Sequence, residues 1–183
     1  MRKLYLFIAA LMFCFLASAQ YRSGRGGVGD KIYFGGGFGF SFGTDVTAIS
    51  ASPLVGYKFT DQFSVGGRAT YQYVNDKVND LSYSNYGGGP FTRFQFTDKY
   101  FAHAEYEILS FEYFTGRLDT NGDLETDRDT YSSLWLGAGY RESVGRNAGF
   151  FLLALYNVLY DDTEERQPYA SPLSIRAGFA VGF

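Results

Sequence analysis

The sequence has one cysteine, Cys14, one histidine, His103, and only 4 prolines in 183 residues. Cys14 lies inside the apolar N-terminal run, so a chain cleaved after that run would carry no thiol. Such a chain has neither disulfide staples nor a thiol nucleophile. Long hydrophobic runs are also missing. The longest apolar stretch beyond the N-terminus, Gly149 to Tyr160, contains Asn157 and falls short of the roughly 20 residues that a spanning helix needs. Basic clusters are absent too, and the formal net charge is −3, which argues against nucleic acid as a partner.

What is abundant points to strands. Aromatics make up 20% of the chain, and there are 23 glycines. Aromatics favour strands, and glycine disfavours helix interiors. Hydrophobic residues reach 46%, yet mean hydropathy is near zero, so apolar and polar residues are interleaved. Interleaving at period two suits a half-buried sheet.

Residues 1–19 read as a signal peptide. Arg2 and Lys3 precede an apolar core from Leu4 to Leu16, and Ala17-Ser18-Ala19 offers small residues for cleavage before Gln20. Phe13 before Cys14 argues against a lipoprotein signal. Loss of the cations Arg2 and Lys3 takes the formal charge from −3 to −5. Residues 20–30 are polar and Gly-rich and read as a flexible leader, which leaves 31–183 as the folded domain.

Eight alternating segments follow. They are expected near Lys31–Gly43, Thr47–Phe59, Phe63–Asn75, Tyr83–Phe96, Tyr100–Tyr113, Thr130–Glu142, Gly149–Tyr160 and Ser171–Phe183. Each divides into an apolar and a polar parity. In the last, Leu173, Ile175, Ala177, Phe179, Val181 and Phe183 oppose Ser174, Arg176, Gly178 and Gly182. The seventh is apolar on both parities, and only Asn157 suggests which one faces inward. Thr60–Gln62, Thr97–Lys99 and Ser143–Ala148 read as short turns. The other connections are longer and charged, the longest being Phe114–Asp129; the short one near Thr44–Val46 breaks the trend.

The outer aromatics form two sets along the strands. Phe34, Tyr57, Phe59, Phe63, Phe94, Phe96, Tyr100, Tyr140, Phe150 and Phe183 map near one rim, and Phe42, Tyr71, Tyr73, Tyr86, Tyr106 and Tyr156 map nearer the other. Alanines 51, 69, 104, 138 and 154 lie between. Two aromatic girdles around an aliphatic band is the pattern a bilayer imposes. The expected fold is therefore all-β, an eight-stranded antiparallel up-and-down transmembrane barrel. Its even strand count puts both chain ends on one side.

Gly88-Gly89-Pro90-Phe91-Thr92-Arg93-Phe94, Leu136-Gly137-Ala138-Gly139-Tyr140-Arg141 and the final strand ending in Phe183 resemble the small OmpA/OmpX-like outer-membrane β-barrel family of Gram-negative bacteria. The resemblance covers nearly all of the chain after residue 19. It implies the cell outer membrane as location, membrane lipids and lipopolysaccharide as surroundings, a monomer, and recognition of Phe183 by the barrel-assembly machinery. The leading reading of function is a non-enzymatic role in envelope integrity or surface interaction through external loops. A narrow pore or transport protein is the alternative, with a lipid-modifying enzyme behind it.

The inward parity carries Lys58, Arg68, Arg93, Arg141 and Arg176 against Glu105 and Glu107, with His103 nearby. Charges in a narrow barrel should pair, because an isolated buried charge is costly. A lumen-filling network is the leading reading, and a selectivity filter or anion path is the second. Phe91, Phe101, Leu153 and Leu155 should occlude an interior that is only just wide enough for side chains. His103 could belong to a catalytic set, but no serine adjoins it, so it is expected to be a network member. Asp119–Asp123 resembles the start of a calcium loop, but Leu124 and Thr130 stand where Gly and Glu are needed. It reads as a solvated turn, as does Asp161–Glu165. The glycines at 35–39 and 87–89 lie within strands, with no helix following, so they form no phosphate loop. No catalytic, cofactor-binding or metal residue is assigned.

Overall fold

A computed structural model describes residues 31–42, 46–76, 81–118, 124–144, 147–163, 167–169 and 171–182. The expected signal segment and leader at 1–30, the expected turn at Asp119–Asp123, Glu164 and Glu165, and Phe183 lie outside the described residues. The strands are β1 Ile32–Phe42, β2 Val46–Lys58, β3 Phe63–Asp76, β4 Leu81–Gln95, β5 Tyr100–Leu118, β6 Leu124–Val144, β7 Ala148–Asn157 and β8 Leu173–Val181. Each pairs antiparallel with its sequence neighbours, and β1 pairs with β8 to close the barrel. Sequence pattern and structure thus agree on an eight-stranded up-and-down barrel.

Two of the short turns use the same chemistry. In Phe59-Thr60-Asp61-Gln62-Phe63, the Thr60 hydroxyl oxygen accepts from the backbone N–H of Gln62 at 3.2 Å and of Phe63 at 2.9 Å. In Phe96-Thr97-Asp98-Lys99-Tyr100, Thr97 does the same for Lys99 at 3.3 Å and Tyr100 at 3.1 Å. The threonine satisfies backbone donors that the tight turn leaves without ladder partners. These turns define one end of the barrel, the turn end; the long connections define the other, the loop end.

One expectation fails. Phe114–Asp129, read as the longest loop, is mostly strand. The β5–β6 ladder runs on through Glu112 opposite Arg128, Tyr113 opposite Asp127 and Phe114 opposite Thr126, then shifts register before Leu118 opposite Leu124. Gly116, with φ of 81°, lies within that shift. Aromatic, threonine and opposite-charge cross-strand pairs support pairing beyond the apolar belt. The polarity of this stretch marked exposure, not irregular backbone. Its base is tied to β4: Arg128 meets Glu112 at 3.1 Å, donates to the Ser84 carbonyl at 3.1 Å and lies over the Tyr86 ring. Smaller corrections fall at strand ends. Val158 and Leu159 form a turn that follows β7, because the Asn157 side-chain oxygen accepts from the N–H of both Leu134 and Leu159 at 3.1 Å. Ser171 and Pro172 precede β8 as a bend.

The alternation sorts side chains as expected. Phe59, Phe63, Phe94, Phe96, Tyr100 and Phe150 are exposed near the turn end, and Tyr71, Tyr73, Tyr86, Tyr106 and Tyr156 are exposed nearer the loop end. Turn-end rings touch one another, with centroids 5.1 Å apart for Tyr57–Phe59, 5.7 Å for Phe94–Phe96 and 5.5 Å for Tyr100–Tyr140. In β7, Phe151, Leu153, Leu155 and Asn157 point inward and Phe150, Leu152, Ala154 and Tyr156 outward, the parity that Asn157 indicated.

Candidate functional site: the luminal charge cluster and its aromatic tier

The interior holds two layers. Nearer the turn end is a tier of four rings, each on a strand directly paired with a glycine: Tyr33 with Gly56, Phe91 with Gly66, Phe101 with Gly139, and Phe151 with Gly178. At each of these glycines a Cβ would strike the partner ring. The missing side chain is what lets the ring lie over the neighbouring strand. All eight strands contribute, one half-pair each.

Arg93, on β4, sits in the middle of this tier. Its guanidinium carbon is 4.8 Å from the Phe91 ring centroid, 5.0 Å from Phe151, 5.2 Å from Phe101 and 6.0 Å from Tyr33. Desolvated cation–π contacts of this kind are each worth up to about 2 kcal/mol. Arg93 Nε donates to His103 Nδ1 at 3.2 Å, and His103 Nε2 faces Glu105 Oε2 at 3.3 Å. Because Nδ1 accepts, the ring proton is on Nε2 and is donated to Glu105. Phe91 stacks on the imidazole at 5.5 Å.

Above the tier lies the charge cluster. Arg68 on β3 grips Glu105 on β5 with two bonds, Nε to Oε2 at 2.9 Å and Nη2 to Oε1 at 2.5 Å, and reaches Glu107 Oε1 at 2.6 Å. Arg176 on β8 donates to Glu105 Oε1 at 2.9 Å and stands 3.9 Å from Glu107 Oε2. Two arginines and two carboxylates thus close a neutral four-charge ring. The second oxygen of Glu107 takes Trp135 Nε1–H at 3.0 Å and the Tyr169 hydroxyl at 2.6 Å. Trp135 is fully buried; Arg176 stacks on it at 4.8 Å and Tyr169 meets it edge-on at 5.0 Å. Buried charges that are paired in this way fit a filling role.

The structure brings Arg68, Arg93, Arg176, His103, Glu105 and Glu107 together. Lys58 and Arg141 lie apart, at the turn end below the tier. There, with Tyr33 and Phe101, they line a space of about 20 Å³, and Asp61 and Asp98 supply the nearest negative charge. Phe91, Phe101, Leu153 and Leu155 are buried as expected. Sequence reasoning missed Tyr33, Trp135, Phe151 and Tyr169. The first three are on inward parities, so the alternation could have found them. Tyr169 comes from the β7–β8 connection, and no periodic signal marks it. Among the described residues no three His, Cys, Asp or Glu side chains are grouped to hold a metal ion.

Tyr169 carries a pH prediction. Burial, and then the Glu107 carboxylate to which it donates, raise its hydroxyl well above the ordinary tyrosine value. A raised pKa means the folded state holds the proton more tightly than the unfolded chain. The stabilisation is therefore complete below about pH 10 and is lost as pH rises beyond it, by about 1.4 kcal/mol per pH unit for one group. Denaturant titrations from pH 8 to 11.5 should show the parent losing more stability above pH 10 than Tyr169→Phe does. Parallel curves would mean that the hydroxyl is not held in the lumen.

No family model matches this sequence, and no curated protein matches it either.

Proposed function

We propose that this chain is a monomeric, non-enzymatic outer-membrane barrel of the OmpA/OmpX-like kind, with residues 1–19 as its export signal and a stoppered lumen. Its role is in envelope integrity or surface contact through the loop end. One observation carries the reading: the barrel is inside out relative to a water-soluble one. Phe34, Phe38, Ile49, Val55, Ile108, Leu136, Leu152 and Ile175 are exposed on the outside, whereas Arg68, Arg93, Glu105 and Glu107 fill the inside. Water would reverse that sorting, and hydrocarbon favours it. A closed barrel also satisfies its backbone internally, which hydrocarbon demands.

Strand lengths support a projecting surface. A tilted spanning strand needs about 9–11 residues, and β5 and β6 have 19 and 21. The excess extends the charged β5–β6 hairpin beyond the apolar belt at the loop end. That hairpin is the natural surface for contact with lipopolysaccharide or another envelope component.

The test is fractionation combined with gel mobility. The protein should sediment with outer membranes, and unboiled samples should run differently from boiled ones. Partition into the aqueous phase without detergent would overturn the reading. In planar bilayers the parent should show no steady single-channel conductance, because four rings and the Arg93 guanidinium occupy the lumen at the tier. A stable conductance would favour the pore alternative.

A further inference from the structure

The barrel's seam is its weakest join. Strand β1 pairs with β2 along its full length, from Ile32 opposite Tyr57 to Phe42 opposite Thr47, and β8 pairs with β7 from Val181 to Leu173. Between β1 and β8 the register covers only Phe34–Val181, Gly35–Ala180 and Gly36–Phe179. Among the described residues no ladder pair joins the two strands from Gly37 towards the loop end, although at Gly37 itself the backbones are still close, a Cβ there lying 2.7 Å from the Ala177 carbonyl oxygen. An open strand edge in hydrocarbon is strongly disfavoured unless it lines a cavity that can satisfy it.

Such a cavity lies directly behind this gap. It has a volume of about 170 Å³, and its wall includes Gly37, Phe38 and Gly39 of β1 and Ile175, Arg176 and Ala177 of β8. Its inner wall carries Arg68, Arg93, His103 and Glu105. The nearby formal charges are Arg68, Arg93 and Arg176 against Glu105 and Glu107, an excess of one cation, with His103 held as the Nε2–H tautomer. On the outside, Phe38 and Ile175 flank the gap and, among the described residues, are the two most exposed large apolar side chains, at 75% and 79%. The lining of this polar, net-positive chamber thus takes in luminal charges together with the outward-facing Phe38, Ile175 and Ala177 at the seam.

We propose that the unpaired half of the β1–β8 seam is a lateral portal that admits the anionic head of a single-chain amphiphile, a carboxylate or phosphate, from the bilayer. The proposal rests on the membrane reading above. The chamber has room for a head group and a few methylenes only, so the tail stays at the seam against Phe38 and Ile175. Arg176, on the portal strand, is the first cation the head meets. It also lies against Trp135, the only tryptophan of the chain, so binding can be read directly by fluorescence.

The experiment uses protein in phosphatidylcholine vesicles and stearic acid carrying a nitroxide close to its carboxylate. Vesicle flotation comes first, and protein that fails to float refutes the membrane reading itself. In floated samples the probe should quench Trp135 saturably, and Arg176→Gln should weaken binding about tenfold. A second variant closes the portal without touching a charge. Extending the seam register places Phe38 opposite Ala177, so Phe38→Cys with Ala177→Cys in a Cys14→Ser background can be joined by oxidation. The oxidised form should lose saturable quenching, and reduction should restore it. Linear, unsaturable quenching in the parent would overturn the proposal, as would undiminished binding in the oxidised staple. If inorganic phosphate protected Trp135 equally well in the stapled and open forms, the chamber would be a site for free anions entering along the lumen, and the portal would be refuted.

Discussion

Glu105→Ala is expected to destabilise the barrel by about 3–5 kcal/mol, the usual cost of removing one partner from a buried charge network. Glu105 is the hub of the cluster. It accepts two bonds from Arg68, one from Arg176 and one from His103. Its loss leaves Glu107 alone against Arg68, Arg176 and the third buried cation, Arg93, whose histidine loses the acceptor that orients it. The loss should appear as a lower denaturant midpoint, followed by Trp135 fluorescence, and as reduced unboiled mobility. The pair Glu105→Met with Arg176→Met restores charge balance with side chains of similar bulk and should recover most of the stability. A single variant that unfolds at the parental midpoint would show that the four charges are not sequestered from water.

Gly66→Val is expected to be almost as damaging, at about 3 kcal/mol or more, whereas Gly67→Val should be neutral. The two glycines are adjacent on β3 and face opposite sides. A Cβ at Gly66 would strike both the Val55 carbonyl oxygen and the Phe91 ring, while a Cβ at Gly67 meets nothing within 4 Å. Backbone cannot give way inside a ladder, and Phe91 is held between His103 and Arg93. Valine outward on β3, by contrast, adds an apolar branched side chain of a type that strands favour. Unfolding midpoints of the two variants, compared side by side, check both halves of the claim. Equal tolerance would mean that the ring does not lie on Gly66.

How much of this was legible beforehand depends on what period two can carry. Parity placed Arg68, Arg93, Glu105, Glu107 and Arg176 on the inner face, because each strand states its own alternation. In β7, where both parities are apolar, one residue sufficed, since a buried asparagine must find hydrogen-bond partners. Register is different, for it belongs to two strands at once. Nothing within a single strand says that Tyr33 meets Gly56 or that Phe101 meets Gly139, so the ring tier and its caged arginine were invisible. The β5–β6 extension is not legible because polar composition looks alike in an exposed strand and in irregular backbone. Tyr169 was missed because a loop residue folding back into the lumen obeys no repeat.

The tier has a consequence for the cell that would carry such a protein. Four rings, each seated on its own glycine, close around the Arg93 guanidinium between an upper chamber and a small lower vestibule. In the proposed membrane setting this makes the molecule an insulator. Its external hairpins could be cleaved or exchanged, and its copy number could rise, without short-circuiting the barrier in which it sits.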